Sequence, residues 1–290
     1  MRSFILSSFL LSAALPSTLV SACLYKREDP TMPPFSYTGE TGPLLWHNLT
    51  VDGKNFPYHK CATGKQQSPI DITDLVPLAK NTTTSFPSSG QFTIENNGHT
   101  IEATPQKPED YKSILGGQEY KLKQFHFHVS SEHHLHDETF PLEAHFVHTK
   151  VDDDSKLAVV GIFFDVVDTG AGDMLIQSIC PELKELEEPK HDKREEKKPS
   201  APFNVQMHSI NNIIDNSKIR NYPGSLTTPP CSEQVSWYVV EEPLAIIPKQ
   251  FNRLKKIMKF NSRFTQNNYS DPPKENLLAL VKQTKQTPTL

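Results

Sequence analysis

Five histidines crowd eleven positions of the run QFHFHVSSEHHLHD: His126, His128, His133, His134 and His136. A neutral imidazole is a metal ligand and, near neutral pH, a proton carrier. Successive side chains of a β-strand point to opposite faces. YKLKQFHFHV therefore puts Gln124, His126 and His128 on one face and Phe125 and Phe127 on the other. Two imidazoles so placed can share a metal ion, but they do not fill its coordination sphere. LEAHFVHT repeats the logic, with Glu143, His145 and Val147 on one face. If that run pairs beside the first, His145 becomes a third nitrogen ligand. Three histidines leave the fourth position of a tetrahedral zinc open to water, which separates a catalytic site from a closed structural one. A ligating imidazole needs its outer nitrogen held by an acceptor. Gln124 and Glu143 each sit two residues before a histidine, on that histidine's face. The alternative is a polar lane on a solvent-facing sheet, which leaves the alignment on two strands unexplained.

The elements that must carry these residues are mostly strands. QFTIENNG, HTIEAT, YKLKQFHFHV, LEAHFVHT, KLAVVGIFFDVV and SEQVSWYVVEE alternate or run on in β-branched and aromatic residues, bounded by Gly, Pro, Asn and Asp. DMLIQSICPELKELE and PKQFNRLKKIMKF carry helical patterns, and the charged stretch from Glu187 to Pro202 reads as a solvated loop. The reading is one mostly-β (α+β) domain with a few short helices on a large sheet. With 36% hydrophobic and 22% charged residues, the 290-residue chain has a globular composition. A formal net charge of −4 argues against nucleic-acid or anionic-membrane partners.

Residues 1–22 read as a secretory leader: Arg2, an apolar run from Phe4 to Leu15, then Val20, Ser21 and Ala22. Pro16 interrupts the run too soon for it to span a bilayer. The competing reading is a bacterial lipoprotein box ending at Cys23. Residues 23–34, with the dibasic pair Lys26-Arg27, form a candidate propeptide, 35–280 the domain and 281–290 a tail without a glycolipid-anchor signal. Sequons at Asn48, Asn81 and Asn268 favour a secreted, extracellular glycoprotein. Beyond the leader remain Cys61, Cys180 and Cys231, enough for one disulfide and one spare thiol.

Together with QSPIDI (67–72), NNGH (96–99), SEHH (131–134) and YPGSLTTPPCSEQVSW (222–237), the histidine runs resemble the α-class carbonic anhydrases, of the secreted eukaryotic, fungal type. The matches lie in the family's order from about Trp46 to Gln266. The resemblance implies a large, mainly antiparallel twisted central sheet. It also implies reversible hydration of carbon dioxide to bicarbonate and a proton by a zinc-bound hydroxide. His126, His128 and His145 match the zinc ligands, and Gln124 and Glu143 the acceptors behind them. Thr227 matches the threonine that accepts from the hydroxide and donates to a buried glutamate, here Glu132. Thr228 marks the bicarbonate end of the pocket, and Val147, Val159, Leu226 and Trp237 the apolar wall for carbon dioxide. His99 matches the proton shuttle; His133 and Tyr222 match buried residues that hold the scaffold. Cys61 and Cys231 match the disulfide of secreted members, which would pin the Thr227 loop and contribute about 2–4 kcal/mol. Cys180 is left as a buried free thiol, and His134 and His136 as residues of a surface loop. Inhibitory anions and sulfonamides are further expected ligands.

Three positions depart from the family pattern. WHNL, after the matching Trp46, lacks the tyrosine expected near the pocket water; Glu102 stands where many members carry an amide; Phe264 replaces a proline. A non-catalytic binding module would have lost a zinc histidine, and an ester hydrolase would need an acyl pocket that nothing in the sequence suggests.

Overall fold

The computed structural model describes residues 32–186 and 200–284. The leader 1–22, residues 23–31 with Cys23 and Lys26-Arg27, most of the charged stretch from Glu187 to Pro202, and residues 285–290 lie outside the described residues. Among the described residues twelve strands are formed: β1 Asp71–Ile72, β2 Thr83–Ser85, β3 Ser89–Asn96, β4 Ile101–Pro105, β5 Lys112–Leu115, β6 Gln118–His128, β7 His134–Leu135, β8 Leu142–Lys150, β9 Asp153–Val166, β10 Phe203–Gln206, β11 Ile219–Ser225 and β12 Glu233–Ile246. The helices are α1 Lys60–Thr63, α2 Met174–Ile179, α3 Leu183–Leu186, α4 His208–Asn216, α5 Pro248–Met258 and α6 Leu277–Thr284.

Ten strands make one sheet in the order β10-β3-β4-β6-β8-β9-β12-β11, with β5 on β6 and β2 on β5. Its pairs are antiparallel except β9 with β12. A parallel pair needs a long crossover, and the chain between β9 and β12 carries α2, α3, β10, α4 and β11. The sheet is mixed but mainly antiparallel, as expected. β1 and β7 form a separate parallel pair, so His134 lies on a short strand, half-buried, while His136 is exposed beyond it.

The neighbouring strands β9 and β12 are apolar on both faces because both faces are covered. Phe146 on β8, Val160 and Ile162 on β9 and Val240 on β12 face the larger core, which is closed by Ile210, Ile213 and Ile214 of α4 and by Leu254 of α5. Val147, Val159, Phe163, Leu226 and Trp237 form a smaller core on the other face. The predicted helical run DMLIQSICPELKELE is two short helices, α2 and α3, with Pro181 between them. Helix α4 was not anticipated, although Ile210, Ile213 and Ile214 have helical spacing.

Strand β6 departs from simple alternation. Tyr120 and Leu122 face the large core, yet so do Phe125 and Phe127, an odd number of positions further on. The pairing with β8 shifts register between Leu122 and Gln124. An extra residue, the exposed Lys123, bulges there and inverts the alternation. Without that bulge Gln124, His126 and His128 would point into the apolar core.

The third described aromatic core, Phe35, Tyr37, Trp46 and Tyr58, surrounds the Cys61–Cys231 disulfide. Cys180 is free and half-buried, so the expectation of a buried thiol is only partly met. Asn48, Asn81 and Asn268 are all exposed.

Candidate metal centre

His126 on β6 lies directly opposite His145 on β8, and His128 is opposite Glu143. One nitrogen each of His126, His128 and His145 falls within a 4.8 Å cluster, and all three rings are buried. Their other nitrogens are already engaged. His126 Nδ1 bonds Gln124 Oε1 at 2.9 Å, His128 Nδ1 the Asn261 carbonyl at 2.8 Å, and His145 Nε2 Glu143 Oε1 at 2.8 Å. Each acceptor requires the facing nitrogen to donate, which leaves the inner nitrogen of a neutral ring with a lone pair. Burial, then the neighbouring imidazoles, drive His126 well below its ordinary pKa and His128 down to about 3. The His126 and His128 rings are therefore neutral and competent to ligate. His128 Nε2 is buried with no hydrogen-bond partner. An orphaned polar atom in a dry interior is costly, and a metal ion at the junction of the three rings satisfies it. The donor set fits zinc.

A second group, His133, Glu143 and His145, is equally tight, but its atoms satisfy one another. Glu143 Oε1 accepts from His133 Nδ1 at 2.7 Å and from His145 Nε2; its Oε2 accepts the Glu132 and His133 backbone N–H groups at 2.8 and 2.9 Å. Burial pushes this carboxyl up, but His133 and His145 outweigh it and hold it well below the usual range. The Tyr222 hydroxyl extends the chain, 2.7 Å from His133 Nε2 and 2.8 Å from Ser68 Oγ. A Cβ on Gly161, the residue opposite His145, would stand 3.0 Å from Glu143 Oε1. The glycine makes room for the carboxylate.

Glu132 is the third buried acid of the region. Its Oε1 accepts the Arg263 N–H at 2.8 Å. Burial raises its pKa to about 7, opposed by the Arg263 N–H and the Thr227 hydroxyl. Thr227 is buried and Thr228 half-buried on the loop that Cys231 closes, where the Cys231 N–H donates to the Thr228 carbonyl at 2.9 Å. Val147, Val159, Leu226 and Trp237 share the apolar cluster on this face of the sheet.

His99 is half-buried at the β3–β4 turn. Its ring stacks on Phe35 with centroids 4.1 Å apart and meets Tyr37 edge-on at 6.3 Å. Tyr37 also packs on Trp46 at 5.8 Å. WHNL itself carries no tyrosine, and Tyr37, upstream of it, brings an aromatic ring beside His99 and Trp46. Glu102 on β4 lies opposite His126 and is buried. Burial, then Glu95, raises its pKa to about 8. Phe264 lies with Tyr37 and Leu44 along a cavity of about 300 Å³.

Sequence reasoning missed two holding residues. Asn261 gives its carbonyl to His128, accepts the Val129 N–H at 2.7 Å, and donates its amide to the His99 and Phe127 carbonyls. Arg263 is fully buried and donates to the Ser68 and Cys61 carbonyls and to Gln67 Oε1. Both lie in NSRFTQ, where a polar triplet beside an aromatic residue was the available signal.

Comparison with known proteins points the same way. The model of the eukaryotic-type carbonic anhydrase family matches residues 46–276. A carbonic anhydrase of Neisseria gonorrhoeae is 33% identical over 208 residues, 71% of this chain and 73% of that protein. The solved fungal alpha carbonic anhydrase of Aspergillus oryzae superposes with a TM-score of 0.73 at 32% identity, covering 86% of this chain and 98% of that one. The alpha-carbonic anhydrase of Thermovibrio ammonificans, solved with the inhibitor sulfanilamide, gives 0.63 at 30% identity, covering 81% and 96%.

Proposed function

This chain belongs to the eukaryotic-type carbonic anhydrase family, and on that premise we propose that it hydrates carbon dioxide reversibly to bicarbonate at a zinc ion held by His126, His128 and His145. The observation that carries the reading is the unpartnered, buried His128 Nε2 facing two imidazoles whose outer nitrogens are all taken. Zinc supplies Lewis acidity that brings the pKa of water to about 7 in carbonic anhydrases as a class.

The chain's own groups orient and move protons. Thr227 donates its hydroxyl proton to Glu132, so its oxygen accepts a hydrogen from the attacking water and turns a lone pair toward the substrate. Arg263 keeps Glu132 in position from behind. Carbon dioxide has no dipole and rests against Val147, Val159, Leu226 and Trp237, while Thr228 receives the bicarbonate end. His99 carries the proton outward, its ring set by Phe35. Anions and sulfonamides compete for the same position; the sulfanilamide complex of the Thermovibrio relative supports this.

We also propose that the protein is secreted and glycosylated, a reading supported by three exposed sequons and a disulfide inside an aromatic core. Metal analysis with stopped-flow carbon dioxide hydration tests the main proposal. One zinc per chain is expected, with activity lost on chelation and restored by zinc alone. Hydration that persists in metal-free protein would overturn it.

A further inference from the structure

Behind the metal centre, on the helical side of the chain, lies a hollow of about 630 Å³. Lys255, Lys256 and Lys259 stand along it, and Phe251, Phe260 and Pro141 supply its apolar surface. No acidic residue among the described residues lines it. Lysines in the last turn of a helix also answer to the helix dipole, which accounts for Lys255 and Lys256 in part. It does not account for Phe260, 54% exposed at the same place, nor for Lys255 lying 5.7 Å over the Phe251 ring. One ammonium over an aromatic ring, with two more lysines along a hollow sized for a small molecule, suits a ligand with one anionic end and an apolar body.

The walls connect this hollow to the site. Val129 and Ser130 line it and directly follow His128; Phe260 lines it and directly precedes Asn261. Asn261 joins the two walls, accepting the Val129 N–H while its carbonyl takes His128 Nδ1. A body seated between Val129 and Phe260 therefore presses on both ends of the bond that orients His128. Asn261 also holds the His99 carbonyl at 3.0 Å.

We propose that this hollow binds a small organic carboxylate with an alkyl or aryl body, and that its occupancy is transmitted through Asn261 to His128. The test titrates the zinc-loaded chain with octanoate, using calorimetry for affinity and the His128 imidazole N–H resonance for coupling. Octanoate should bind the wild type, whereas octanol, lacking the charge, should bind far more weakly. Lys255→Gln with Lys259→Gln should weaken octanoate about tenfold, an expected loss of about 1.4 kcal/mol, and Phe260→Ser should weaken it through the apolar surface. The His128 signal should move with occupancy in both proteins, with its midpoint at about tenfold higher octanoate in the lysine variant. Equal affinity in the lysine variant would overturn the site. A His128 shift whose midpoint is unmoved in that variant would place octanoate at the zinc and overturn the proposal equally. Binding without any His128 shift would overturn the transmission.

Discussion

The ribbon formed by β6 and β8 carries two surfaces back to back. On one, Phe125, Phe127 and Phe146 pack into the large core, with Phe125 and Phe146 stacked at 5.1 Å. On the other, His126, His128 and His145 converge with their outer nitrogens tied down. The same strands and spacing serve both, yet the two faces answer to different physics. The phenylalanine face works by volume and exclusion of water, so its contacts are many and individually replaceable. The histidine face works by direction, since each ring has its outer nitrogen tied to one acceptor and its inner nitrogen turned toward the other two rings. A change on the first should appear as lost stability, and a change on the second as lost metal.

The sharpest way to break this division is His126→Ala. It should abolish stoichiometric zinc binding and carbon dioxide hydration while leaving the urea unfolding midpoint of the metal-free protein close to wild type. Metal analysis and unfolding run on the same sample check both halves. The mirror experiment is Phe146→Ala, which removes a fully buried ring and should cost about 3–5 kcal/mol. The variant should still bind one zinc per folded chain; loss of zinc affinity out of proportion to unfolding would merge the two faces.

Glu143→Gln probes the tie behind a ligand. An amide cannot accept from Glu132, His133 and His145 as fully as the carboxylate does, so zinc affinity should fall about 10–100-fold with the ligands intact. Competition with a chelator measures it. The smallest effect concerns Glu102, on the histidine side of the sheet. Its folded-state pKa is raised, so between 4.5 and about 8 the native state holds a proton that the unfolded chain has lost. Stability contributed by this group therefore falls as pH rises through that window, by at most about 1.4 kcal/mol per pH unit. Glu102→Gln should flatten the wild-type decline in unfolding free energy between pH 5 and 8. An unchanged slope would remove Glu102 from the account.

Much of the site was legible as text because its key relations are local. Gln124, His126 and His128 are two apart, as are Glu143 and His145, and strand geometry converts that spacing into a shared face. Tyr37 was overlooked because its contact with His99 crosses 62 positions of sequence (99 − 37). Asn261 was missed for the same reason, since its carbonyl reaches His128 across 133 positions. Helix α4 escaped because its three isoleucines are set among asparagines, and its packing against the sheet outweighs weak helix propensity.

By itself the sequence determined the residue types, their two-residue spacing and the strand character around them, since these follow from side-chain chemistry and backbone periodicity. The tertiary structure decided which face those residues occupy. Alternation continued from Tyr120 and Leu122 would have buried the histidines among phenylalanines, and only the bulge at Lys123 turns them outward. It also decided which of two histidine-bearing groups is open to a metal. His145 belongs to both, and only partners brought in from distant strands and loops satisfy one group while leaving the lone pair of His128 Nε2 exposed in the other.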